Sequence, residues 1–119
     1  MANPFIHVEL NTTDIDKAKE FYGNLFDWTM EEVPMKDFAY TMIKVGQGTG
    51  GGMMKQLMPN APSAWLPYVQ VDDIFVSTKK AKDLGAMIMK DVTEVMGMGW
   101  LSIIVDPTGA ALGLWTPKS

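Results

Sequence analysis

Two residues near the N-terminus carry side chains suited to proton chemistry, at a spacing that brings them together. His7 is the only histidine of the chain, and Glu9 follows two positions later. In an extended segment, residues two apart share a face, with Cα atoms about 6.6 Å apart. An imidazole and a carboxylate so placed can share a substrate, bond each other, or divide the roles of general acid and base. An apolar setting would raise the carboxylate pKa, which suits that work. The alternative is a hydrogen-bonded pair that merely holds its strand in place, and the residues alone leave both readings open.

Other patterns lead less far. The chain has no cysteine, which excludes disulfides, thiolate metal sites, Fe–S clusters and cysteine nucleophiles. Gly46-Gln-Gly-Thr-Gly-Gly51 matches the GxGxxG spelling, but a dinucleotide site needs a helix immediately after it. Met-Met-Lys-Gln-Leu-Met-Pro follows instead, so the glycines read as a tight connection over 46–52. Met87, Met89, Met96 and Met98 bring Cu(I) thioether ligation to mind. No dense Met-x-x-Met array accompanies them, and the eleven methionines read as core filling and an adaptable pocket wall. No serine or threonine has a histidine in a triad-like context, so no hydrolase is predicted. No cofactor is expected.

The elements that must position His7 and Glu9 follow from hydrophobic period. Residues 5–11 alternate, with Ile6, Val8 and Leu10 on one side and His7, Glu9 and Asn11 on the other. Thr13-Asp14 is an N-cap signal, and Ile15, Ala18, Phe21, Tyr22, Leu25 and Phe26 recur at helical spacing, predicting a helix over 15–26. Strands are predicted over 27–33 and 38–45, separated by a turn at 34–37, and a short one over 53–55. Residues 58–64, with Pro59, Asn60 and Pro62, read as a linker. The order then repeats: a strand over 66–71, a helix capped by Asp72-Asp73 and closed by Gly85, and strands over 87–92, 99–105 and 111–115.

The two halves align. Asp14-Ile15 falls on Asp73-Ile74, Leu25 on Leu84 and Val33 on Val92. With one residue more, Tyr40 falls on Trp100, Ile43 on Ile103 and Met53 on Gly113. Each half is β-α-β-β-β and too small to bury its sheet alone. The prediction is one α+β domain: module one over 1–57, a linker over 58–64 and module two over 65–119. Two such modules would form a cup-shaped mixed sheet with helices on the outside.

The 119 residues carry 47% apolar and 20% charged side chains, a globular profile. A net charge of −4 speaks against a nucleic-acid partner. No run approaches the apolar length of a membrane span, and Met-Ala-Asn-Pro-Phe-Ile-His is not the start of a signal peptide. A cytoplasmic protein is expected.

Paired βαβββ modules resemble the vicinal oxygen chelate superfamily: glyoxalase I, extradiol dioxygenases, and the bleomycin- and fosfomycin-resistance proteins. His7-Val-Glu-Leu-Asn-Thr-Thr-Asp14, with Lys19-Glu-Phe-Tyr22 and Leu25-Phe-Asp-Trp28, is similar to the family's opening strand and helix. Asp106-Pro-Thr-Gly109 is similar to its closing turn. The resemblance implies a metal-bearing cup in many members, with ligands at positions that fall here on His7, Met53 (or Met54), Leu66 and Gly113. Leucine and glycine offer no ligand and a thioether suits Ni²⁺, Zn²⁺ or Fe²⁺ poorly, so no metal is expected. The predicted pocket wall comprises Asn11, Met53, Leu66, Tyr68, Gln70, Trp100, Ser102 and Gly113, with His7 and Glu9 as the catalytic candidates. The expected function is binding of a small organic ligand by a glyoxalase-like homodimer. The alternative is a metal-independent lyase or isomerase acting on a small carbonyl-type metabolite, so the sequence leaves open whether the protein is an enzyme.

Overall fold

The computed structural model describes residues 2–34, 39–56, 58–95 and 97–118. The predicted turn at 34–37 therefore falls largely outside the described residues, as do Phe38 and Met96. The chain clusters into two compact units, one running from His7 to Leu66 and the other made of the residues up to Ile6 and from Pro67 on.

The first unit contains β1 (Phe5–Thr12, from His7 on), α1 (Ile15–Leu25), β2 (Thr29–Pro34), β3 (Ala39–Lys44) and β4 (Gly51–Lys55). Its strand order is β2-β3-β4-β1, antiparallel except for the parallel β4–β1 pair. α1 starts where Asp14 accepts a hydrogen bond from the Lys17 amide at 3.0 Å, which satisfies one of the open amides of the first turn. Leu10, Ala18, Ile43 and Met53 form the core between helix and sheet.

The second unit contains β5 (Ala64–Gln70, from Pro67 on), α2 (Ile74–Asp83), β6 (Met87–Val95), β7 (Gly99–Val105) and β8 (Ala111–Pro117), in the order β5-β8-β7-β6. Asp73 caps α2 by accepting from the Phe75 and Val76 amides, and Gly85 closes it at φ +106°. Val71, Ile74, Ile104 and Leu114 form this unit's core. Thr78 and Ser102, both buried, bond at 2.9 Å and pin α2 to β7. At the β7–β8 turn, Asp106 accepts from the Thr108 hydroxyl and from the amides of Thr108 and Ala110. These bonds stabilise the carboxylate and hold its pKa below the usual aspartate value.

The architecture is the expected α+β pair of βαβββ units, with two corrections. β4 begins at Gly51, so the last glycines of the supposed connection are strand residues. A side chain on Gly51 would overlap the Val8 carbonyl oxygen, so this glycine is required by close approach of β1 and β4 rather than by loop flexibility. The second correction concerns the repeat. Cross-strand partners and burial match Thr41 with Ser102, Ile43 with Ile104, Gly52 with Gly113 and Met53 with Leu114. This is one residue longer than the sequence alignment over the same strands. Register shifts in β6, between Ile88 and Thr93, interrupt its pairing where β2 pairs regularly.

Candidate functional site

A one-residue slip moves a strand's side chains to the opposite face, and that consequence reaches the predicted site. On β1, Leu10 lies in the core, so His7, Glu9 and Asn11 project from the face away from α1. Met53 pairs with Leu10 and is wholly buried in the core on the helix side, away from His7. Gly52, partner of Glu9, and Met54, partner of Asn11, are the β4 residues on the His7 face. Ser102 likewise lies under α2, and Trp100, on the same face of β7, packs against that unit's core. Met53 thus does not line the face on which His7 stands, and Trp100 and Ser102 lie on the α2 side of their own unit's sheet. In the second unit, Tyr68 pairs with Gly113 and Gln70 with Trp115 on the face away from α2. Leu66, buried, shares the Tyr68 side of β5.

The residue that organises the His7 face is Tyr40 on β3, which the sequence did not single out. Its hydroxyl lies 2.7 Å from His7 Nε2 and donates to Glu9 Oε1 at 3.1 Å. When Glu9 is ionised it only accepts, so Tyr40's one proton goes to Glu9, and the His7 tautomer that fits is the one offering Nε2–H to the tyrosine oxygen. The ring reaches both partners because it crosses Gly52, where any side chain would overlap it. The second unit repeats the device: the Tyr68 ring lies on Gly113. A readable signal existed in the alternation of Tyr40, Met42 and Lys44 against Thr41 and Ile43, combined with the missing side chain at Gly52.

Glu9 is only 5% exposed, an unusual place for a carboxylate unless hydrogen-bonded. Burial also lowers the His7 pKa below its ordinary 6.5, favouring the neutral ring. The sign follows directly. Below pH 6.5 the unfolded chain takes up a proton that the folded chain resists, so this contribution is complete above that pH and is lost as pH falls through it. Urea unfolding is expected to show stability declining as pH falls through 6.5, with a slope below ~1.4 kcal/mol per pH unit, and a shallower decline in His7→Gln. A Tyr40→Phe variant is expected to lose about 1–3 kcal/mol, since the buried carboxylate loses this donor. A loss below a few tenths would place the hydroxyl outside the network.

At the positions that carry metal in metal-using members of the resembled superfamily, the chain presents the His7 imidazole, the Leu66 side chain, Gly52 or Met53, and Gly113. That donor set does not suit a divalent ion. Among the described residues, no group of three or more histidine, aspartate or glutamate side chains stands together as a metal set. Among them, also, no helix is long and apolar enough to cross a membrane.

The fold is that of a glyoxalase-like class, and comparison with known proteins agrees. Residues 5–46 match the family model for the N-terminal part of bleomycin resistance protein-like chains. CFP32 of Mycobacterium tuberculosis, described as a candidate glyoxylase, is 35% identical over 114 residues, covering 91% of this chain and 43% of the relative. DnrV of Streptomyces peucetius, an anthracycline biosynthesis protein, is 25% identical over 122 residues, covering 90% and 44%. The chain therefore spans less than half the length of these relatives. Among solved structures, methylmalonyl-CoA epimerase of Streptomyces coelicolor in complex with 2-nitronate-propionyl-CoA matches with TM-score 0.73 at 12% identity over 100% of both chains. The Mycobacterium tuberculosis epimerase matches with TM-score 0.71 at 16% identity, over 97% of this chain and 88% of that one. The chain is similar to glyoxalase-like and bleomycin resistance protein-like chains, and its fold is that of the vicinal oxygen chelate proteins.

Proposed function

We propose that the chain binds a small organic molecule on the His7–Tyr40–Glu9 face, without the divalent metal that other superfamily members use. The observation that carries this reading is the Tyr40 bridge across Gly52. It engages the imidazole at 2.7 Å and lays an aromatic ring where a fourth-strand ligand would have to stand. A catalytic divalent site needs about three N, O or S ligands, and one imidazole with glycines and a leucine falls short. What the face offers instead is an aromatic surface with a few buried polar groups, the composition of small-molecule sites.

A second reading is favoured by the burial of Glu9: a metal-independent isomerase or lyase in which Glu9 or His7 moves a proton α to a carbonyl. Thermal-shift screening of a metabolite library separates these. A ligand at 100 times its Kd stabilises the fold by ~2.7 kcal/mol. Hits incubated in heavy water are then followed for α-proton exchange. Exchange that disappears in Glu9→Gln supports the enzyme, and binding without exchange supports the binder. Absence of any stabilising compound, or one tightly held Ni²⁺, Zn²⁺ or Fe²⁺ per chain in equilibrium dialysis, overturns the proposal. We also propose that the chain pairs with a second copy, a reading supported by relatives long enough to hold the matched segment twice. Sedimentation at the mass of one chain would refute that.

A further inference from the structure

The first unit contains a cavity that the His7 face does not use. It has a volume of about 270 Å³ and is lined by Val8, Trp28, Ile43, Val45 and Trp65, with Thr49, Gly50 and Gly51 completing the wall. Val8, Gly51 and Ile43 are cross-strand partners in one row, and Ile43 belongs to the core under α1. The cavity therefore lies on the helix side of the sheet, the opposite face from His7, Glu9 and Tyr40.

Its chemistry is uniform. Among the described residues, the lining has no charged side chain, and Thr49 supplies its only side-chain hydroxyl. The indoles of Trp28 and Trp65 stand nearly perpendicular, at 79° with centroids 6.4 Å apart, making an aromatic corner. Tyr22 meets Trp65 edge-on at 5.4 Å and Phe26 lies 4.7 Å from Trp28, so neighbouring rings hold the corner in position. Trp65 keeps 39% of its surface exposed. An apolar cavity of roughly 150 Å³ accommodates benzene, so this larger one has room for two fused rings. Flat rings gain from face and edge contact with indoles. A charge would lose its hydration with no partner in the wall.

We propose that this cavity is a second binding site, specific for a neutral, flat aromatic compound of one or two fused rings with a single hydroxyl or N–H group, which Thr49 meets. The site is independent of the proposed His7-face ligand, so either can fail without the other.

Indole is the test probe, titrated into the full chain and followed by NMR of the four tryptophan indole N–H signals. Trp28 and Trp65 are expected to shift with saturation, while Trp100 and Trp115, in the other unit, stay in place. Indole carboxylate is expected to bind at least about tenfold more weakly, because its charge must be desolvated. Val45→Phe, which fills the cavity, is expected to reduce indole affinity by about tenfold or more without lowering Tm. Should that variant not fold, Trp65→Leu replaces it, with the same expected loss. His7→Gln is expected to leave indole binding unchanged. No shift at Trp28 and Trp65 up to the solubility of indole would overturn the proposal. Equal affinity for the carboxylate, or binding abolished by His7→Gln, would overturn it too.

Discussion

A Gly51→Ala variant is expected to lose roughly 3 kcal/mol or more of unfolding free energy, at the upper end of overpacking costs, although it adds one methyl group. The new carbon would overlap the carbonyl oxygen of Val8. A clash with the end of a flexible side chain is relieved by a rotamer change, but a clash with backbone is not. Relief here means separating β4 from β1, which weakens the parallel ladder from Val8–Gly51 to Thr12–Lys55. Gly23 provides the internal comparison. It lies within α1, and a methyl group added there meets nothing within 4 Å. Gly23→Ala is expected to stabilise the chain by about 0.5–1 kcal/mol, the usual helical preference for alanine over glycine. Chemical denaturation of both variants checks the pair; equal effects would show that strand approach is looser than described.

Met53→Ala is expected to cost about 2–5 kcal/mol, the range for removing a large buried side chain from a core that closes only partly around the gap. Met53 is fully enclosed by Leu10, Ala18 and Ile43. Met54→Ala, one position on, is expected to cost distinctly less, because Met54 lies on the other face and is only partly buried. The comparison reads the register of β4 directly. If the two losses were reversed, Met53 would belong to the His7 face after all, and the correction made to the repeat would be wrong. Ligand binding on the His7 face is expected to respond to Met54→Ala and not, beyond lost stability, to Met53→Ala.

The same strand shows how much of the protein was legible in its sequence. The alternation of Ile6, Val8 and Leu10 against His7, Glu9 and Asn11 is a local property of an extended chain. So is the Asp14 cap, where a side chain meets an amide three residues away, and so is the equivalent cap at Asp73. Those local interactions, with two β-α-β-β-β orders in succession, were enough to reach the α+β units, the family they resemble and the face on which His7 and Glu9 stand. Aligning the repeat also placed Met53, Leu66 and Gly113 at three of the four positions the resemblance assigns to metal, and the register of β4 offers Gly52 beside Met53 for the first of these.

What sequence could not supply was the phase of one distant strand against another. Nothing near Met53 states whether it or Gly52 stands beside Glu9; that depends on which carbonyl of β1 each β4 amide meets. Strands have a period of two, so an error of one residue moved Met53, Trp100 and Ser102 from the core to the pocket at once. Tyr40 was missed for the same reason. Its bond to Glu9 spans 31 positions, and it exists because β3 and β1 flank a strand whose glycine leaves room for a ring. Local alternation assigns a side chain to a face, but only the packed sheet, through cross-strand register and close approach, brings Tyr40 between His7 and Glu9.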